Sequence, residues 1–249
     1  MRTNPGDENR MAIEPLSELE LTGRASSHVL HCDDLGCPVH RAAIEPLRRM
    51  RIAAEKAGIA LRVVSGFRDF ERQRQIWNQK FRGERPVMDS EGREVDVLPL
   101  DSASRVALIM VWSALPGASR HHFGSEVDLV DGNALAAGHK LQLIPAEYAG
   151  AGPFAALSGW LDEHAARFGF YRPYENFRGG VRPEPWHLSY APVAVPSQQR
   201  LDSRLLRETI EAAQIDGKEA ILAELETLHA RYCANVDPAP GVSLRPRLA

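Results

Sequence analysis

The chain has 249 residues, of which 44% are hydrophobic and 25% are charged, and its formal net charge is −3. This composition is typical of a globular protein that buries a sizeable core. The small net charge provides no basic footprint for nucleic acid, and no run of about 18 apolar residues predicts a transmembrane helix. We therefore expect neither a nucleic acid nor a membrane as a partner.

The N-terminus is polar and lacks the apolar stretch of a signal peptide, so we expect a cytoplasmic protein. Residues 1–21 are expected to form a polar, loosely packed extension, and residues 236–249 a tail. The three cysteines, Cys32, Cys37 and Cys233, do not make a disulfide framework. Cys32 and Cys37 are near enough in sequence for a local metal or redox pair, but plain thiols are the favoured interpretation.

Apolar spacing and capping residues predict helices separated by short strands and loops. The predicted helices cover residues 42–56, about 69–81, a stretch from Asp101 or Ser102 to just before Pro116, and residues 154–167. The predicted strands cover residues 59–64 and 125–131, and a third follows the bend at Trp186. Two helical stretches, near 203–213 and 217–232, predict a C-terminal helical hairpin packed on the main domain.

A first cluster of potential metal ligands lies in the segment Ser119–Asp128. A catalytic zinc takes three nitrogen or oxygen ligands and keeps one position open for water. His121, before the predicted strand, and Asp128, within it, offer two such ligands, and Gly124 lets the chain fold back between them. Taken alone, such a pair is more often a surface or hydrogen-bonded pair. His122 and Asp131 are alternative ligands in another register.

A second cluster, Glu184-Pro185-Trp186-His187, offers a third ligand in His187. Pro185 favours an extended conformation at Glu184, so these residues cannot lie on one helix as the two histidines of a zincin do. A carboxylate beside metal-activated water is what a hydrolytic general base requires. Taken alone, this segment is better explained as a proline-rich turn with a buried tryptophan.

The third cluster is Ser65-Gly66-Phe67-Arg68, with Gln73 on the predicted helix that follows. Arg68 lies where a strand ends and a helix begins, a common place for functional side chains. A fixed guanidinium can bind a carboxylate or stabilise an oxyanion. An arginine in a surface salt bridge is the more frequent situation in general.

In their order and spacing, the three clusters resemble the motifs of the zinc D-alanyl-D-alanine carboxypeptidases of the VanY and VanX type. That family has S-G-[FY]-R, then S-x-H-x-x-G-x-A-x-D, then E-x-W-H, and the resemblance spans about residues 60–190. It implies an α+β fold in which helices surround a small, mostly antiparallel sheet, as in the Hedgehog signalling domain. A zinc carboxypeptidase domain is then expected at residues 22–197 and a C-terminal helical extension at residues 198–235.

The resemblance also implies a zinc site and a catalytic base. His121, Asp128 and His187 correspond to the ligands of Zn²⁺, and Glu184 corresponds to the base that activates water. Loss of Glu184 is then expected to abolish turnover while leaving metal binding largely intact. Loss of His121 is expected to remove both.

The remaining positions are assigned by the same resemblance. Arg68 corresponds to the residue that stabilises the developing oxyanion, and Ser119 and Gln73 correspond to positions near the terminal carboxylate of the substrate. Glu126 departs from the family, which has a small alanine there. On a strand Glu126 shares a face with Asp128. It could crowd the metal or turn away, but we favour contact with a metal ligand or with substrate over a fourth ligand, which would close the site.

The resemblance implies hydrolysis of a peptidoglycan-derived peptide. Because a cytoplasmic enzyme would meet recycled or precursor peptides, we favour an L,D-carboxypeptidase that removes D-alanine from recycled tetrapeptides. A D,D-carboxypeptidase or dipeptidase that acts on pentapeptide or on D-Ala-D-Ala is the alternative. A third hypothesis is a zinc-containing protein that binds muropeptides without cleaving them, as catalysis is lost in Hedgehog relatives. The presence of Glu184 and of all three ligand positions disfavours it.

Overall fold

A computed structural model describes residues 13–241, in which short strands alternate with helices. The strands are β1 (Val29–Cys32), β2 (Cys37–His40), β3 (Leu61–Ser65), β4 (Glu126–Asp131), β5 (Phe170–Tyr171) and β6 (His187–Tyr190). The helices are α1 (Glu18–Leu21), α2 (Ile44–Lys56), α3 (Phe70–Phe81), α4 (Ser102–Ile109), α5 (Gly132–Ala136), α6 (Ala155–His164), α7 (Ala191–Arg200), α8 (Ser203–Glu211), α9 (Lys218–Ala223) and α10 (Leu225–Leu228).

Four of the strands form an antiparallel sheet in the order β3-β4-β6-β5. Alternation along β4 sends Val127 and Leu129 into the core against α2 and α6, while Glu126 and Asp128 point to the opposite face. β6 follows the same rule, because Leu188 belongs to that core. The expected α+β fold with a small antiparallel sheet is confirmed.

A second apolar core lies among the helices. Trp77 of α3 and Ile109 of α4 pack there with Leu206 of α8 and Leu225 of α10. The predicted C-terminal helices are therefore present and packed on the main body, although the second stretch is divided into α9 and α10 at Glu224. The division into a domain at 22–197 and an extension at 198–235 stays a prediction.

The N-terminal part differs from the expectation of loose packing. Within the described residues of the predicted extension, Leu16 and Leu21 are buried in the helical core, and Ser17 caps α1 through a capping box with Glu20. The two apolar side chains pack because burial removes their surface from water. The rest of that extension, residues 1–12, and residues 242–249 of the tail lie outside the described residues.

Several elements were not predicted from the sequence, and the largest are a hairpin and a helix. β1 and β2 form a separate hairpin in which Cys32 lies opposite Cys37, and both thiols are free. α7 contains Pro192 in its first turn and Pro196 inside it. Because proline disfavours the interior of a helix, the sequence did not predict a helix here. None of the helices in residues 13–241 has the length and apolar character needed to cross a bilayer.

Candidate active site

Two of the predicted ligands lie on neighbouring strands. Asp128 of β4 pairs directly with His187 of β6, so both side chains stand side by side on the face of the sheet away from the α2 core. The distance from His187 Nδ1 to Asp128 Oδ1 is 3.1 Å. The sheet register thus positions one imidazole and one carboxylate without any contribution from loops.

The third predicted ligand comes from a turn. His121 lies in a single 3-10 turn, Arg120–Phe123, which ends at Gly124 in the left-handed conformation with φ 67°. A Cβ atom at Gly124 would lie 2.4 Å from Val29 Cγ1, so the hairpin packs directly on this glycine. The tight turn returns the chain into β4 and leaves His121 beside Asp128, with 3.4 Å between Nε2 and Oδ2.

These three side chains form a group that could hold one metal ion. Ligand atoms of His121, Asp128 and His187 all lie within 4.8 Å of one another, and the two imidazole rings are nearly perpendicular at 87°. All three side chains are buried. Burial would raise the pKa of Asp128, but the two imidazoles hold it well below its usual range, so the carboxylate is ionised and ready to bind a cation.

In both His121 and His187, the ring nitrogen that does not face Asp128 has a hydrogen-bond partner. His121 Nδ1 lies 2.8 Å from the carbonyl oxygen of Gly66, and His187 Nε2 lies 2.9 Å from Glu126 Oε2. A proton on each of these nitrogens leaves a lone pair on His121 Nε2 and on His187 Nδ1, the two atoms that face Asp128. Such outer partners fix the tautomer and the orientation of metal-ligating histidines. The donor set therefore fits a mononuclear metal centre.

Glu184 lies at the edge of this centre. Its Oε2 is 3.7 Å from His187 Nδ1, and its amide donates to the carbonyl oxygen of Tyr174 at 2.9 Å, which anchors the backbone before Pro185. Burial raises the pKa of Glu184 to about 7, so a proton can be gained and lost near neutrality.

Arg68 follows β3 and is held by neighbours on both sides. Its guanidinium donates to Gln73 Oε1 at 2.9 Å and to Ser65 Oγ at 3.3 Å, and its backbone N–H donates to the carbonyl oxygen of His121 at 3.1 Å. Burial lowers its pKa, while Asp128 and Glu184 oppose that change. Arg68 is thus a fixed cation near the candidate metal ligands.

A cavity of about 810 Å³ opens onto the centre. Arg68, Ser119 and Glu184 line it together with the three candidate ligands. The predicted position of Ser119 at the substrate side is therefore compatible with the structure. The residue is 2% exposed, so the part of its side chain that reaches the cavity is small.

Two residues expected to contact substrate do not line this cavity. Gln73 is 1% exposed; its Oε1 accepts from Arg68 and its Nε2 donates to the carbonyl oxygen of Ala114 at 2.7 Å, so it orients the arginine. Glu126 is completely buried behind His187. The substrate-contact assignments of Gln73 and Glu126 therefore do not fit, whereas the alternative of a contact between Glu126 and a metal ligand does.

Glu126 is itself held by an ion pair. Arg120 Nε lies 3.2 Å from Glu126 Oε2, and Arg120 also donates to Ser189 Oγ at 2.9 Å and to Gln198 Oε1 at 2.6 Å. Ser189 donates to Glu126. Burial would raise the pKa of Glu126, but Arg120 and His187 lower it to about 2. The carboxylate facing His187 is consequently ionised at neutral pH.

The alternative ligands lie elsewhere. His122 Nδ1 lies 2.6 Å from the carbonyl oxygen of Arg68, and its Nε2 accepts the backbone N–H of Gly117 at 3.2 Å. Asp131, at the far end of β4, accepts backbone N–H groups of Ala60 and Asn133. Both are satisfied structural residues, so the first register of ligands is the one that the structure brings together.

The sequence reasoning missed the aromatic wall of the cavity. Tyr174 places its ring 5.3 Å from that of His187, and Trp112 stacks on Trp186 at 6.5 Å. All four residues line the cavity. Tyr174 and Trp112 belong to no motif, so only the tertiary structure reveals them. Trp186 lies within the motif of the second cluster.

Comparisons with known proteins identify the family of this chain. The profile of the family described as VanY, D-alanyl-D-alanine carboxypeptidase, matches residues 37–193. An uncharacterized protein of Haemophilus influenzae is 37% identical over 120 residues, which are 47% of this chain and 92% of that protein. A D-alanyl-D-alanine carboxypeptidase of Enterococcus faecalis is 30% identical over 141 residues, which are 55% of this chain and 42% of that protein.

Among solved structures, the fold is similar to that of the LdcB LD-carboxypeptidase, with a TM-score of 0.50 and 21% identity over 78% of this chain and 82% of that one. The two imidazoles and the carboxylate define a candidate mononuclear metal centre, and the family profile covers more than half of the chain. The protein belongs to the VanY family of D-alanyl-D-alanine carboxypeptidases. The resemblance inferred from the three motifs is thereby confirmed.

Proposed function

We propose that the protein is a zinc-dependent carboxypeptidase that removes the C-terminal D-alanine from peptidoglycan stem peptides. The observation that carries this proposal is the convergence of His121, Asp128 and His187 beside Glu184, at the wall of a cavity of about 810 Å³. Membership of the VanY family supports the reaction class, and the name of the Enterococcus faecalis relative supports D-alanine as the residue released.

The donor set supports zinc as the metal. Two imidazoles and one carboxylate form the ligand set of many catalytic zinc sites, which keep a fourth position for water or substrate. His121 would bind through Nε2 and His187 through Nδ1, since their other nitrogens face Gly66 and Glu126. A bound zinc ion supplies Lewis acidity and makes a water molecule a stronger acid and nucleophile.

The protein's own groups perform the proton transfers. Glu184, whose carboxyl lies next to His187, takes a proton from the attacking water and returns it to the leaving amine. Burial raises the pKa of this carboxyl to about 7 in the metal-free protein, and a carboxyl that gains and loses a proton near neutrality can serve as a base before attack and as an acid after it. Gln73 and Ser65 hold the Arg68 guanidinium where it can stabilise negative charge on the carbonyl oxygen.

The size of the cavity supports a peptide substrate. A volume of about 810 Å³ lies in the range of sites that enclose a ligand of several residues or a drug-sized molecule. Trp112, Trp186 and Tyr174 offer apolar surface for the peptide, and Ser119 lies near the metal centre. Preference for the L,D bond of a tetrapeptide, and a cytoplasmic location, stay predictions from the sequence.

Mass spectrometry of stem tetrapeptide and pentapeptide after incubation with the zinc-loaded protein tests the proposal. Loss of one D-alanine from either peptide, absent with Glu184→Gln, is the expected result. Cleavage of tetrapeptide alone would establish the L,D activity, and cleavage of pentapeptide alone the D,D activity. Zinc binding without cleavage of any stem peptide would contradict the proposal and favour a muropeptide-binding protein.

A further inference from the structure

Gln198 joins the candidate metal centre to the part of the chain that follows the matched family profile. That profile ends at residue 193, and the described residues after it, 194–241, form the C-terminal segment. Gln198 lies in α7 and is partly buried. Its Oε1 accepts from Arg120 Nη1 at 2.6 Å, and its Nε2 donates to the carbonyl oxygen of Cys233 at 2.8 Å. One side chain thus connects Arg120 with the end of the last helices.

Arg120 is a buried cation whose position depends on its partners. Its Nε lies 3.2 Å from Glu126 Oε2, and its Nη2 donates to Ser189 Oγ at 2.9 Å. Among residues 13–241, Gln198 is the one hydrogen-bond partner of Nη1. Because a buried charge is costly unless its polar groups are satisfied, loss of Gln198 would leave Nη1 without a partner or draw the guanidinium out of place.

The position of Arg120 determines that of a carboxylate beside a candidate metal ligand. Glu126 is completely buried, and its Oε2 lies 3.2 Å from Arg120 Nε and 2.9 Å from His187 Nε2. One oxygen therefore contacts both the cation and the imidazole. A shift of the guanidinium would move or release the carboxylate that orients the His187 ring. Unbroken contacts run from Cys233 through Gln198, Arg120 and Glu126 to His187.

The far end of this series of contacts lies at the substrate cavity. Tyr232 and Cys233 line the cavity, and they end a π-helical turn, His229–Cys233. Such turns are rare and occur frequently at functional sites. His229 Nε2 lies 2.8 Å from the carbonyl oxygen of Leu201, which connects the turn to the C-terminal end of α7. The C-terminal segment therefore contacts both the cavity and the outer partners of the metal centre.

We propose that Gln198 is a positioning residue through which the C-terminal segment maintains the metal affinity of His187. This inference rests on the proposed function, because it requires a metal bound by His187. Gln198 does not line the cavity, and it acts by holding Arg120 against Glu126. Its effect on metal binding therefore depends on the negative charge of Glu126.

Zinc affinity, measured by competition with a chromophoric chelator, tests the inference. Gln198→Leu removes both hydrogen bonds of the amide and is expected to weaken zinc binding by about 3- to 10-fold, less than loss of an outer partner that contacts the ligand directly. Gln199→Leu is the matched control, because it makes the same change at the next residue, which is exposed, and it is expected to bind zinc normally. Gln198→Met carries the same prediction if the leucine variant does not fold.

The Glu126→Gln background distinguishes positioning from a general loss of structure. With Glu126 uncharged, Gln198→Leu is expected to change zinc affinity by less than about 2-fold, whereas a general loss of packing would weaken it by the same factor in both backgrounds. Equal factors in the two backgrounds, or a Gln198→Leu protein that binds zinc as tightly as Gln199→Leu, would overturn the inference and leave the proposed function standing. A wild-type zinc affinity that His121→Ala leaves unchanged would overturn both.

Discussion

The rate of the reaction is expected to depend on the protonation state of Glu184. Burial raises its pKa to about 7, and a base must be ionised to accept a proton, so kcat/KM for a stem peptide is expected to rise as the pH rises through this pKa. A bound zinc ion would lower the pKa, which places the acidic limb of the loaded enzyme below about pH 7. A pH–rate profile measures this limb. A rate that falls steadily from acidic to neutral pH would contradict the role of Glu184 as base.

Glu126 is expected to act on the metal through His187. Glu126→Gln removes the charge that faces His187 Nε2, and loss of such an outer partner typically weakens metal binding by about 10- to 100-fold. Competition with a chromophoric zinc chelator measures this affinity. Glu91→Gln, the same chemical change at an exposed cavity-lining residue, is the control and is expected to bind zinc normally. Equal zinc affinity in both variants would contradict the role of Glu126.

At the scale of elements, the turn that carries His121 depends on one glycine. Gly124 has φ 67°, and a Cβ atom there would lie 2.4 Å from Val29 Cγ1 and 3.0 Å from the backbone nitrogen of His40. Gly124→Ala is therefore expected to lower the free energy of unfolding by about 1–3 kcal/mol or more, and to weaken zinc binding by displacing His121.

Gly36→Ala is the matched control for this prediction, because Gly36 has φ 74° and nothing within 4 Å of its Cβ position. Denaturant unfolding of both variants separates the cost of the backbone conformation from that of the clash. If Gly124→Ala were no less stable than Gly36→Ala, the prediction would be contradicted, because the packing of β1 and β2 on the turn would then add nothing to the free energy lost.

The elements that the sequence predicts well are those with a strong local pattern. The side chains of Asp69 and Asp101 cap the first turns of α3 and α4, where the sequence predicts that helices begin. The strand predicted before Gly132 is β4. The β1–β2 hairpin has only four residues a strand and no clear alternation, and α7 contains prolines. Such elements form because of tertiary packing, which no local pattern reports.

The residues of the candidate site also differ in how well the sequence predicts their positions. The ligand triad and Glu184 were predictable because their motifs resemble those of a known family, whereas each cluster taken alone favoured a structural interpretation. The positions of Gln73 and Glu126 behind other side chains were not, since burial depends on elements distant in sequence.

At the scale of the whole molecule, metal binding is expected to stabilise the fold, because the unfolded chain does not hold the triad together. Zinc at about 100 times its Kd contributes about 2.7 kcal/mol, which raises the Tm of a chain of this size by about 5–10 °C. Thermal unfolding with and without zinc measures the shift. His121→Ala is expected to show little of it, and an equal shift in that variant would place the metal elsewhere.

In the proposed reaction, a metal held by His121, Asp128 and His187 serves the hydrolysis of a terminal D-alanine, and Glu184 acts as the base. The most direct test is quantitative D-alanine release from a stem peptide by protein of known zinc content, with Glu184→Gln measured in parallel. We expect release in proportion to bound zinc, and a rate lower by about 10²–10⁴-fold in the variant that still binds zinc. Equal rates in the two proteins, or release that does not depend on zinc, would contradict the account.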